Sequence, residues 1–137
     1  MAKTFGRLTE LNRGLIALRD NVGDLKDDYD RTINSIMGLT AVDGAEYMKD
    51  RARWRDDTGN RKDRVPGAAR AGLNTSTDLK GTHKVIRFAH GVDYGIWLEI
   101  KNNGKWQIIM PAVAEMGKRL MKNLRGSLSQ VRKNAGR

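Results

Sequence analysis

The 137-residue sequence has no cysteine, so disulfide scaffolds, thiol nucleophiles and cysteine-ligated metals are excluded. It has two histidines, His83 and His90, seven positions apart, with no carboxylate at zinc-ligand spacing. No apolar run approaches the ~18–20 residues of a membrane span. The stretch Met1-Ala2-Lys3-Thr4-Phe5-Gly6-Arg7 lacks the apolar core of a secretory signal, so the expected setting is intracellular, or a particle assembled inside a cell. Glycines Gly91 and Gly95 precede no Lys-Ser/Thr phosphate signature. The adjacent carboxylates Asp27-Asp28 and Asp56-Asp57 suit helix-terminal or solvent roles better than acid–base catalysis. His90 and Asp93 could accompany a hydroxyl, but a triad is defined by geometry and not by composition. The expectation is a protein that is not an enzyme and uses no cofactor or metal.

What the sequence has in excess is positive charge. Lys and Arg number 26 and Asp and Glu 16, for a net +10. Residues 1–50 carry 7 basic and 9 acidic side chains, whereas residues 51–137 carry 19 and 7. The excess concentrates between Arg51 and Arg70 and again from Met116 to Arg137, where no acid occurs. Such polarity suits nucleic-acid contact as well as a solvated basic face. Trp54 is the only aromatic in the first stretch and the second has none, which argues against a platform for stacking bases.

The length suits one α+β domain over residues 1–125, followed by a basic tail at 126–137. Leu8, Leu11, Leu15, Leu18, Val22, Leu25 and Tyr29 are spaced alternately by 3 and 4, an a/d seam over three heptads. A helix over 7–37 would be ~46 Å long. A globule of this size is only ~37 Å across. The seam therefore belongs either to a bent helix inside one subunit, kinked near Gly23, or to an arm that meets a neighbour. Gly38 reads as a helix stop, residues 40–44 as a turn and 43–54 as a second helix. Residues 56–72 read as a long basic loop. Leu73–Leu79 and His83–His90 read as strands. Tyr94–Ile100 fits strand or helix. Asn102-Asn103-Gly104 is a turn signal, and Trp106–Met110 a short strand stopped by Pro111. A last amphipathic helix, with Val113, Met116, Leu120, Met121 and Leu124 inward, ends at Gly126-Ser127.

Three stretches carry a resemblance. They are Ala52-Arg53-Trp54-Arg55-Asp56-Asp57-Thr58-Gly59-Asn60 with Ala69-Arg70-Ala71-Gly72-Leu73, then His90-Gly91-Val92-Asp93-Tyr94-Gly95-Ile96-Trp97-Leu98-Glu99, then Asn103-Gly104-Lys105-Trp106-Gln107-Ile108-Ile109-Met110-Pro111. Together they resemble the small tail-component proteins of long-tailed double-stranded DNA phages, a family that includes neck and tail-completion proteins of the head–tail junction. The resemblance implies a structural virion protein, assembled in the host cytoplasm. It further implies a ring subunit, six copies around the DNA channel, with other neck and tail proteins as partners. In that family the Thr-Gly-Asn motif runs almost directly into the Arg-x-Gly-Leu segment, whereas here Arg61 to Ala68 intervenes.

On this reading Trp54, Tyr94, Trp97, Glu99 and Trp106 are candidates for the subunit interface. Large aromatic surfaces anchor interfaces as well as cores. Glu99 is expected to pair with an arginine such as Arg53 or Arg55, within or between subunits. Arg61, Lys62, Arg64, Lys118, Arg119 and Lys122 are candidates to face the channel, non-specific duplex DNA or an adjoining protein. The rival expectation is a free nucleic-acid-binding protein that uses the basic loop and tail.

Overall fold

The computed structural model describes residues 2–56, 62 and 64–136. The element order is α1 (Ala2–Arg51), α2 (Ala68–Ala71), β1 (Asn74–Asp78), β2 (Val85–Ala89), α3 (Gly95–Gly104) and α4 (Ile109–Ala135). This is α+β: mostly helix, with one two-stranded antiparallel sheet. No helix among the described residues is long and apolar enough to cross a membrane.

The largest departure from the sequence-based expectation is α1. It runs unbroken through Gly23, Gly38 and the expected turn at 40–44, and absorbs the expected second helix. Each glycine costs a helix about 1 kcal/mol relative to alanine. Packing offsets this in the second half, where Met37, Thr40, Ala41, Gly44 and Met48 form a buried stripe at helical spacing that continues to Ala52 just past the helix. At 1.5 Å per residue α1 is ~75 Å long.

The second half of α1 pairs with α4 in antiparallel fashion. Gly44 lies against Met116. Ile36 and Leu39 share a groove with Lys122, Asn123 and Gly126. Asp28, Arg31 and Thr32 stand against Val131, Asn134 and Ala135 at the far end. So α4 does not stop at Gly126-Ser127. The expected tail continues the helix to Ala135, and the basic residues Arg125, Arg132 and Lys133 ride on it.

The strands lie near their expected places. They pair in the register Asn74↔Ala89 to Asp78↔Val85. Ile86 and Phe88 turn partly inward while Val85, Arg87 and Ala89 face solvent. Thr75 Oγ1 donates to the Ala41 carbonyl at 2.5 Å, which fastens β1 to α1. Tyr94–Ile100 resolves as helix, since Gly95 opens α3. The Asn-Asn-Gly signal holds as a reversal: Asn102, Asn103 and Gly104 all take positive φ, of 55°, 56° and 76°. Asn and Gly tolerate that region best. The expected strand at Trp106–Met110 is instead the entry to α4. Pro111 sits in that helix's first turn, where a missing N–H costs nothing.

Gly44 marks the crossing of α1 over the sheet and α4. A Cβ there would come within 2.7 Å of the Phe88 ring and 3.3 Å of Met116. Gly44→Val should therefore lower stability by about 1–3 kcal/mol. Gly23→Ala, in open space, should raise helix content instead. Denaturant midpoints and circular dichroism of the two variants check the contrast.

Candidate functional site: a basic, aromatic-walled cleft

The three motif stretches converge. The core unites Met48, Ala52, Trp54, Ala69, Leu73, Ile108 and Ala112, with Tyr94, Leu98 and Trp106 packed against it. Two polar knots hold this convergence together.

The first is built on Arg70 of α2. Its Nε donates to both Asp56 carboxylate oxygens, at 3.0 and 3.1 Å. Its Nη2 donates to the carbonyls of Ala52 and Trp54 at 3.1 and 3.2 Å, and Nη1 donates to that of Lys49. The end of a helix leaves carbonyls without partners, and one planar guanidinium here satisfies one in the last turn of α1, that of Lys49, and two just beyond it. The chain thus turns out of α1 through residues 52–56 under the control of one side chain.

The second knot is Glu99 of α3. Its Oε1 lies 2.7 Å from His90 Nε2. Its two oxygens also accept from the backbone N–H groups of Ile108 and Ile109, at 3.2–3.3 Å. These N–H groups open α4, where a carboxylate meets both orphan donors and the positive end of the helix. Within the subunit, the expected arginine is therefore not the partner. Glu99 pairs within the subunit with His90 and a helix start, while Arg53 and Arg55 remain exposed.

The motif glycines follow from the same packing. A Cβ on Gly91 would meet the Gly72 carbonyl oxygen at 2.6 Å, and one on Gly95 would meet His90 Cβ at 2.3 Å. The His-Gly-Val-Asp-Tyr-Gly run is thus the close crossing of two chain segments. Trp54 lies beneath it, only 6 % exposed, with its ring centroid 6.0 Å from that of His90. Trp54 Nε1 and His90 Nδ1 are both buried and lack a hydrogen-bond partner among the described residues.

Above the knots lies an open cleft. Trp54, Tyr94 and Trp106 contribute to its walls. Arg53, Arg55, Arg64, Lys101 and Lys105 line it, and Asp56 is the one acid beside them among the described residues. Arg64 stacks over the Tyr94 ring at 3.9 Å, a cation–π contact that seats part of the basic loop on the motif core. No group of three or more His, Cys, Asp or Glu among the described residues could hold a metal.

The expected site residues separate into distinct environments. Trp54 and Glu99 are internal, Tyr94 and Trp106 half-buried, and Trp97 is 61 % exposed on α3 beside Ile96 and Ile100. Arg64 joins the cleft, Lys62 is exposed, and Arg61 lies outside the described residues. Lys118, Arg119 and Lys122 are on α4, away from the cleft lining; Arg119 bonds Glu115 at 3.1 Å and approaches the Tyr47 ring. Sequence reasoning missed Arg70 as the tie between α1 and α2, His90 as the partner of Glu99, and Lys101 and Lys105 as cleft residues. The two lysines flank the Asn-Asn-Gly turn, and that placement was the available signal.

Comparison with protein-family models, curated proteins and solved structures gives no match. The geometry of the Glu99 knot is testable by itself. Glu99→Ala leaves two helix-opening N–H groups and His90 without an acceptor, and should cost about 3 kcal/mol. Glu99→Gln keeps an acceptor and should cost about 1 kcal/mol. Urea unfolding followed by tryptophan fluorescence measures both.

Proposed function

We propose that the chain is a structural virion protein of a tailed phage, a ring-forming neck or tail-completion component that joins tail to head around the DNA channel. The observation that carries this reading is the division of labour within the second motif stretch. Four of its residues, His90, Gly91, Gly95 and Glu99, are used up in holding the fold. Its outer residues Ile96 and Trp97, with Ile100 just beyond, present an apolar face to solvent on a short, firmly anchored helix. Rigid, exposed aromatic and aliphatic side chains of this kind are interface anchors. In a closed ring the face would meet a different surface of the next subunit, and copies of the Arg61, Lys62 and Arg64 loop would stand side by side around the axis. A moderate charge per subunit would then become a strong local field toward DNA or an acidic adjoining ring.

Trp97→Asp should leave the fold intact, because Trp97 is mostly outside the core. Particles assembled with this variant should accumulate as DNA-filled heads beside unattached tails under the electron microscope. Complete, infectious particles from the variant would overturn the reading.

A second reading is favoured by the cleft itself. Among the described residues, five basic side chains around three aromatic rings suit a nucleic-acid backbone held by charge. In that case the free protein binds duplex DNA with an affinity that falls steeply with salt. Replacing Arg53, Arg64 and Lys105 together by Gln should flatten that dependence by roughly 0.9 in log–log slope for each phosphate that is no longer neutralised. Fluorescence anisotropy across a salt series measures it, and binding that ignores salt would exclude this reading.

A further inference from the structure

The first half of α1 is the largest surface left unexplained. Packing against α4 begins only near Asp28, so residues 2–27 extend as a helical arm ~39 Å beyond the rest of the molecule. Along it Leu8, Leu11, Leu15, Leu18 and Val22 are each between 57 and 64 % exposed. A helix with glycine at 6, 14 and 23 gains little from its own propensity, and most helix stability in proteins comes from packing an apolar face. The seam needs a cover.

We infer that the cover is the same arm of a second copy, paired antiparallel. Two features of the arm select this occupant. The first is the period. Apolar residues alternate by 3 and 4 from Leu8 to Leu25, the 3.5-residue repeat that fits one helix against another helix of the same kind and not against a flat surface. The second is charge. Residues 3–19 hold Lys3, Arg7, Arg13 and Arg19 against Glu10 alone, whereas residues 20–30 hold five aspartates against Lys26 alone. A parallel, in-register pair would bring the two net-basic halves together and the two net-acidic halves together, with no opposite charges paired at the flanking positions. The antiparallel pair sets the basic half of each arm on the acidic half of the other, and so both attracts and orients the partners.

The register follows from the seam. Leu15 faces Leu18 of the other copy, Leu11 faces Val22 and Leu8 faces Leu25, which gives six apolar layers about a two-fold axis between residues 16 and 17. Gly14, whose position opens to solvent, then lies close to Asn21 of the other copy. The six layers end at Leu8 and Leu25, short of Asp28 where α4 begins to pack, so the two bodies sit at opposite ends of a shared rod. This two-fold is separate from the cyclic axis of a ring, so the pairing stands or falls apart from the function proposed above.

Sedimentation equilibrium of the full chain tests it. Leu11→Asp with Leu18→Asp should halve the particle mass. The near-ultraviolet signal from buried Trp54 should be unchanged, because both positions lie outside the globule. A mass unchanged by the double variant overturns the pairing, as does an unmodified chain that sediments as a single copy. Trp97→Asp should leave the arm pair intact, which distinguishes its failure from failure of the ring. Orientation is read by disulfides, since the chain has no cysteine of its own. Gly14→Cys mixed with Asn21→Cys should give the mixed link in preference to either self-link. Efficient self-linking of Leu11→Cys, whose two copies are far apart in the antiparallel register, would overturn the orientation.

Discussion

One carboxylate fixes the relation between the parts that matter. Glu99 stands on α3, accepts from the first N–H groups of α4 and meets the ring of His90 at the end of β2. Sheet, short helix and long helix are thereby joined at a single point. Because α4 in turn lies along α1, the position of one side chain propagates to the longest axis of the molecule. Apolar burial supplies most of the stabilisation in any such core. Direction has to come from groups that care about angle, and here those are Glu99 and Arg70.

The two knots share a logic. Each meets the loose backbone groups of a helix terminus with a side chain from elsewhere in the sequence: donors at the start of α4, acceptors after the end of α1. At the start of α4, Ile108 makes no side-chain capping bond that would define the boundary locally. The boundaries of these helices are therefore tertiary features.

That explains how much could be read beforehand. The α+β class, both strands and the Asn102-Asn103-Gly104 reversal follow from local chemistry, and they stand where the residues place them. The seam from Leu8 to Tyr29 was visible as a period, but period alone does not say whether a face is covered inside one chain. Gly38 and Gly126 misled because a glycine's local cost of about 1 kcal/mol is small beside the packing of the stripe around it. Pro111 misled because the same residue ends a strand and opens a helix. Of the site, the motif residues were legible and their division into buried and outward-facing was not. Glu99 offered an acid in a basic neighbourhood, and charge counting pointed to an arginine. The actual partners are a histidine and two backbone amides, which carry no signature in composition.

The continuity of α1 through Gly38 has a mechanical meaning. The helix is a lever whose fulcrum lies at Gly44, pressed against Phe88 and Met116. From Gly44 to Gly6 the lever arm is ~57 Å, so a tilt of about one degree at the fulcrum displaces the tip by about 1 Å. A methyl group's worth of space beside Phe88 thus sets where a distant leucine is presented. The aim of the arm is written in the core, at a glycine that no turn requires.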